Sequence, residues 1–94
     1  MNVKVKKSVF KETEKLPKHV QEAAKEQINN LKVANTLGEL ENIEHMQGTD
    51  EPYFRLKFND YRFLLYLDPD TNIVNVRSLL HRKDAYKKQN LPWL

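Results

Sequence analysis

Val3 and Val5 alternate with lysines at the start of the chain, a period of two that predicts a short strand with one buried face. Ser8 then stands where it can cap a short helix carrying Phe10, Thr13 and Leu16 inward, and Pro17 either stops that helix or begins the next. From Lys18 the apolar positions Val20, Ala23, Ala24, Ile28 and Leu31 recur at helical spacing, with Glu22, Lys25, Glu26 and Asn29 on the wet side. The expected unit is a two-helix hairpin with a tight corner at Leu16-Pro17. Residues 35–51 fit no regular element. Leu37, Leu40, Ile43 and Met46 fall three apart, which suits a turn of helix or a chain draped over the core, until Gly48 breaks the pattern. From Pro52 the chain reads as strands, Tyr53–Phe58, Tyr61–Leu67 and Asn72–Leu80, joined by Asn59-Asp60 and by Asp68-Pro69-Asp70-Thr71. Two short turns joining three strands make an antiparallel meander. A terminal helix is expected from His81 to about Gln89, ending before Asn90 and Pro92.

A two-residue loop at Asn59-Asp60 sets Phe58 opposite Tyr61, Lys57 opposite Arg62, Leu56 opposite Phe63 and Arg55 opposite Leu64. A four-residue loop at Asp68–Thr71 pairs Leu67 with Asn72, Leu65 with Val74, Phe63 with Val76 and Arg62 with Arg77, because apolar residues then share a face. That face holds Phe54, Leu56, Phe58, Phe63, Leu65, Val74 and Val76 against the helical hairpin. The other carries Arg55, Lys57, Arg62, Asn75 and Arg77, with Leu64, Tyr66, Ile73 and Leu79 between them. Like charges placed across adjacent strands are destabilising by a few tenths to about 1 kcal/mol. A row of Lys57, Arg62 and Arg77 therefore suits a seat for a polyanion. The plainer alternative is that Asp60 or the acidic segment 35–51 folds over and neutralises it.

Charge sharpens this picture. The chain has 94 residues and a net charge of +3, unevenly spread. Residues 1–34 hold eight lysines against four glutamates, residues 35–51 hold five acidic side chains and no basic one, and residues 52–94 hold eight basic against four acidic. All four arginines, Arg55, Arg62, Arg77 and Arg82, lie in the last block. Arginine suits forked recognition of phosphate, which marks that block as phosphate-facing; the alternative is a basic face that only confers solubility. Tyr53 and Tyr66 beside Arg55 and Arg62 also suit single-stranded RNA, although tyrosines are ordinary sheet residues too. The length supports one domain over 1–94 with a modest core. With no cysteine, neither disulfides nor thiolate chemistry is available. The charged start lacks the apolar stretch of a signal peptide and no segment has the length of a membrane span, so a cytoplasmic protein without membrane partners is expected.

The segment His81-Arg82-Lys83-Asp84-Ala85-Tyr86-Lys87 sets Arg82 and Tyr86 four apart at the rim of the cationic face, where free N–H groups at a helix start also favour phosphate. His81 is either a capping residue or a proton carrier. His19, His45 and His81 have no second ligand at recognised spacing and the acidic run matches no calcium loop, so no metal is expected; no Gly-rich phosphate loop is present, and no cofactor is expected. Metal-free RNA cleavage needs a base for the 2′-OH, charge stabilisation at the phosphorane and an acid for the departing 5′-oxygen. Arg62 and Arg82 suit the second task. Crowding by arginines lowers the pKa of a lysine, which makes Lys57 a base; it acts on the Tyr86 phenol too, and His81 is the conventional proton carrier. Arg55, Arg77, Lys83 and Lys87 complete the expected RNA-binding set.

The succession Phe10…Lys15-Leu16-Pro17, helix Val20–Leu31, Leu40…Gly48, Tyr53-Phe54-Arg55-Leu56-Lys57…Asp60-Tyr61-Arg62 and His81-Arg82-Lys83-Asp84-Ala85-Tyr86 resembles the RelE/ParE superfamily of bacterial toxins, over nearly the whole chain. The resemblance implies an α+β toxin of RelE-like fold, with two N-terminal helices on a twisted antiparallel sheet and a cognate antitoxin that neutralises it. The RelE-like branch cuts messenger RNA in the ribosomal A site, and the ParE-like branch inhibits DNA gyrase. By position, Arg55 and Lys57 match the pair of strand lysines implicated in catalysis, Arg62 and Arg82 the phosphate-contacting arginines, and Tyr86 the C-terminal tyrosine. Two departures stand out. Arg55 replaces a lysine and cannot serve as a base near neutral pH, and the stretch from Arg82 to Tyr86 is short; His81 lies where the YoeB and HigB toxins use a histidine. The expectation is a toxin that cleaves ribosome-bound messenger RNA to a 2′,3′-cyclic phosphate and a 5′-hydroxyl, with gyrase inhibition or a catalytically silent binding module as the alternatives. In the tail, Trp93 is expected to pack on the core, the alternative being an antitoxin or subunit contact.

Overall fold

The computed structural model describes residues 1–87 and 90–92. Chain order is β1 (Val3–Val5), α1 (Lys7–Glu14), α2 (Lys18–Val33), a 3-10 turn (Leu37–Glu39), β2 (Ile43–His45), β3 (Tyr53–Phe58), β4 (Tyr61–Leu67), β5 (Val74–His81) and α3 (Arg82–Ala85). The strands form one sheet in the order β1-β5-β4-β3-β2. Four strands run antiparallel, and β1 adds the one parallel pair, with Val3 beside Val74 and Val5 beside Val76. The helical hairpin covers one face, and the other carries polar residues around a smaller buried cluster of Met46, Tyr53 and Leu64, so the fold is α+β.

The core lies between hairpin and sheet. Leu31, Leu56, Leu65 and Val74 are wholly buried there, with Val9, Phe63 and Val76 nearly so. Helix α2 presents Val20, Ala24 and Leu31, as the helical spacing predicts. Helix α1 departs from expectation. It starts immediately after β1, with Lys6 rather than Ser8 before its first turn and no side-chain cap. That phase turns Val9 inward and leaves Phe10, about 100° further round the helix, 57% exposed.

The acidic segment, expected to be irregular, carries the 3-10 turn and β2. Its three-residue strand pairs with β3 at the sheet edge, Glu44 facing Arg55. The spacing of three in Leu37, Leu40, Ile43 and Met46 hides the local alternation Ile43-Glu44-His45, which is too short to register as a strand without its partner.

The first hairpin has the predicted register, Phe58 opposite Tyr61 and Lys57 opposite Arg62, with Asn59 at φ 51° accepting the left-handed turn. The second does not. Asp68 Oδ1 accepts from the N–H groups of Asp70 and Thr71, and Asn72 takes φ 58°, so the turn uses more chain and β5 begins at Val74, opposite Leu67. A bulge then intervenes: Val76 pairs with Leu65 and Ser78 with Leu64, leaving Arg77 over. Beyond it the inward positions change parity. Leu79 enters the core opposite Phe63, and Leu80, not Arg77, faces Arg62. The expected cationic row therefore stops after Lys57 and Arg62, and Leu79 moves from the open face to the core. Helix α3 is a single turn that ends at Ala85, capped at its start by His81 and followed by Tyr86 and Lys87 in a turn, so the helix expected as far as Gln89 does not form beyond Ala85; Lys88, Gln89 and the packing of Trp93 lie outside the described residues.

Candidate active site

Strand β3 alternates core residues Phe54, Leu56 and Phe58 with Tyr53, Arg55 and Lys57 on the open face. Arg55 is only 7% exposed, so its charge must be met by protein groups. Its Nε donates to the Ala85 carbonyl at 3.3 Å, its guanidinium carbon sits 4.1 Å from the centre of the Tyr86 ring, and its Nη1 is 3.6 Å from Glu44 Oε1. The stacking is a cation–π contact. Lys57 Nζ lies 3.8 Å from the other oxygen of Glu44, and the Tyr86 hydroxyl donates to Glu44 Oε1 at 2.9 Å. Glu44 is thus the hub of the group, with Arg55, Lys57 and Tyr86 all directed at one carboxylate.

The β3–β4 turn holds the next two arginines. Arg62 Nη1 donates to the carbonyls of Tyr61 (2.8 Å) and Asn59 (3.3 Å), while its buried Nε has no partner among the described residues. Arg82 donates its backbone N–H to the Asp60 carbonyl at 2.7 Å and places Nη1 3.6 Å from the Asp60 carboxylate. Of the alternatives raised for neutralising the cationic row, the acidic segment supplies Glu44 to Lys57, whereas Asp60 pairs with Arg82 outside the row. Glu44 itself was not legible as a site residue. The only signal was its outward position in the alternation Ile43-Glu44-His45.

His81 caps α3. Its Nδ1 accepts from the Lys83 N–H at 3.1 Å, and its ring meets Tyr61 edge-on at 5.4 Å, on the side of the sheet opposite Arg55 and Lys57. The first N–H groups of α3, expected to be open to phosphate, are bound by Asp60 and by His81. Tyr86 lies just past α3, so Arg82 and Tyr86 diverge, one toward the hairpin and the other over Arg55. Arg77 lies apart, its Nη1 3.4 Å from the Tyr53 hydroxyl. Lys83 is exposed, and Lys87 pairs with Asp84 at 2.9 Å. That hydrogen bond and its charge, aided by His81 and Lys83, hold the Asp84 carboxyl below the usual range. Partial burial, then Asp68 and Tyr53, push the Tyr66 phenol up. Among the described residues no three histidine, aspartate or glutamate side chains converge to hold a metal ion, and no helix is long and apolar enough to cross a membrane.

On the helical side, an apolar groove of about 520 Å³ opens between α1 and α2, with Val9, Phe10, Ala24 and Ile28 in its walls. Lys18, Lys25 and Glu22 stand at its rim.

No protein-family model and no curated protein matches the chain. Solved structures do. The RelB–RelE antitoxin–toxin complex of Methanococcus jannaschii contains a chain 26% identical over 89% of this one and 95% of that one, with a TM-score of 0.69. The archaeal RelE–RelB complex of Pyrococcus horikoshii matches at 24% identity, 89% and 97% coverage and a TM-score of 0.72. The intact E. coli RelBE toxin–antitoxin complex matches at 19%, 83% and 92% coverage and 0.62. In all three the matching chain is RelE, aligned over nearly its whole length.

Proposed function

We propose that this RelE-like chain is the toxin of a toxin–antitoxin pair and that it cleaves ribosome-bound messenger RNA by attack of a 2′-OH on the adjacent phosphate. One observation carries the reading: a phenol and two strand cations converge on a single carboxylate, Glu44, so proton carriers and positive charge meet at one point. Glu44 accepts the 2′-OH proton as the oxygen attacks phosphorus. Arg55, Lys57 and Arg62, with Arg82 at the rim, stabilise the charge that grows on the phosphorane. Tyr86 gives its proton to the departing 5′-oxygen, leaving a 2′,3′-cyclic phosphate and a 5′-hydroxyl. Protonated Glu44 then returns a proton to the Tyr86 phenolate along their existing hydrogen bond, which closes the cycle. His81, as the cap of α3, positions the turn that presents Tyr86.

The reading departs from the sequence-based assignment at the base. A carboxylate bonded to the catalytic phenol suits that step better than Lys57, which the same carboxylate holds as a counter-charge. The antitoxin partner is supported by the matching RelE chains, each of which is found with RelB. The groove between α1 and α2, apolar within and mixed in charge at its rim, suits one face of an amphipathic helix of such a partner.

Induced expression should arrest growth and produce cuts in ribosome-bound messenger RNA bearing 2′,3′-cyclic phosphate ends. Tyr86→Phe should abolish both while the protein stays folded. Arrest with DNA damage, no transcript cleavage and no effect of Tyr86→Phe would falsify the RNA reading and favour gyrase as the target.

A further inference from the structure

The cations of the candidate active site are all matched: Arg55 and Lys57 by Glu44, Arg82 by Asp60, Arg62 by backbone carbonyls. A second group on the open face has no acidic partner among the described residues, its Arg77 donating to the Tyr53 hydroxyl alone. Lys4 lies on β1 opposite Asn75, Lys6 continues that pairing by donating its N–H to the Val76 carbonyl at 3.0 Å, and Arg77 follows Val76 next to them. Together with Tyr66 and Asn75 they line an open hollow of about 400 Å³. Among the described residues none of the three cations makes an ion pair. The one acidic side chain in the wall, Asp68, spends its Oδ1 on the N–H groups of Asp70 and Thr71.

The register joins this hollow to the active site. Lys4 pairs with Asn75, Asn75 with Tyr66 and Tyr66 with Tyr53, a single row across four strands that ends beside Arg55 on β3. The two tyrosine rings in that row stand 4.9 Å apart, and Arg77 extends over Tyr53 with its guanidinium carbon 5.9 Å from the ring centre. Three cations without a carboxylate partner in one concavity recruit an anion. Tyr66, half-buried in the wall of the hollow and lying between it and the buried Tyr53, suits an anion that continues as a chain of bases.

We propose that Lys4, Lys6 and Arg77 form a second phosphate seat, which holds the backbone of the single-stranded RNA some nucleotides away from the cleaved bond, with Tyr66 offering a face to an intervening base. This rests on the RNA reading of the active site and adds to it a requirement for substrate length. The long turn after β4 makes the seat. It sets Val74, two residues beyond the expected Asn72, opposite Leu67, so that Arg77 follows Val76 next to the β1 lysines and does not reach Arg62.

The test is binding of a ten-nucleotide oligoribonucleotide to the full chain, made non-cleaving by Tyr86→Phe, followed by fluorescence anisotropy across a salt series. Changing Lys4, Lys6 and Arg77 to Gln together should lower the slope of log K against log salt by about 2, since each single-strand phosphate contact contributes roughly 0.7. Between 50 and 200 mM salt that is about a 16-fold smaller loss of affinity. Changing Lys7 and Lys11 on α1 and Lys15 just past its end to Gln removes the same charge elsewhere and should leave the slope unaltered. The single change Arg77→Gln, which cannot disturb β1, should lower it by roughly 0.7. An unaltered slope in the triple variant, or an equal fall in the α1 control, overturns the second seat. Loss of binding to a co-purified acidic protein with RNA binding intact also overturns it, in favour of a protein partner. If the chain binds no oligoribonucleotide at any salt concentration, the second seat is overturned, while the RNA reading of the active site stands or falls separately on cleavage of ribosome-bound messenger RNA.

Discussion

Glu44→Gln separates charge from hydrogen bonding at the hub of the site. The amide oxygen of Gln can still accept from the Tyr86 hydroxyl, so the substitution removes the ion pairs and keeps the 2.9 Å contact. At 3.6 Å from Arg55 and an effective dielectric near 20, the gross attraction is about 5 kcal/mol. The Glu44 carboxylate is 36% exposed and Lys57 44%, so water screens much of that, and Lys57 adds little. Arg55 is the decisive partner, because a buried guanidinium loses its counter-charge while its other contacts, the Ala85 carbonyl and the Tyr86 ring, remain. The net loss should be about 1–2 kcal/mol, a fall in Tm of roughly 5–15 °C for a domain of this size. Chemical denaturation of the single variants and of the double variant with Arg55→Met gives the coupling energy directly. A coupling below about 0.3 kcal/mol would show that Glu44 is not the counter-ion of Arg55, and the reasoning fails. Under the proposed mechanism the same variant also loses cleavage by about 10²-fold or more, since its amide cannot take a proton.

Phe63→Ala should cost about 3–5 kcal/mol in denaturant unfolding, because the 1%-exposed ring fills the space between α2 and the sheet and its neighbours cannot close over the void. Asn59 sits at φ 51° in the first hairpin, so Asn59→Gly should be neutral or slightly stabilising, whereas Asn59→Val should lower stability by about 1–2 kcal/mol. Asp84 has a folded pKa below its unfolded one, so its contribution to stability is present above the unfolded value near 4 and is lost as pH falls through the folded value. NMR titration should find that carboxyl shifted low, and Lys87→Gln should return it most of the way.

The structure bears out the elements in which a short local pattern decides the outcome. Helix α2 has four turns of consistent spacing, and the β3–β4 hairpin is pinned by a two-residue turn, so pairings such as Lys57 with Arg62 follow from chain connectivity alone. The second hairpin escaped because its register depends on side-chain hydrogen bonds of Asp68 within the turn and on a bulge that the apolar pattern does not reveal: Leu79 and Leu80 are adjacent and equally apolar, and nothing local says which one turns inward. Strand β2 escaped for the same kind of reason, since three residues acquire strand character only from the neighbour they pair with.

At the site, the sequence determined the inventory: four arginines, Lys57, His81 and Tyr86 within one basic block, an acidic segment ahead of it, and no cysteine. These are properties of order and composition, which no folding can alter. Tertiary structure decided which of them meet. Pairing of β2 with β3 set Glu44 against Arg55 and Lys57, α3 brought Tyr86 over Arg55 and left His81 as a cap, and the longer turn before β5 set Arg77 beside Lys4 and Lys6 and away from Arg62. Coulomb energy and hydrogen bonding depend on ångström separations between residues far apart in the chain, and those are fixed only when the core has chosen a register.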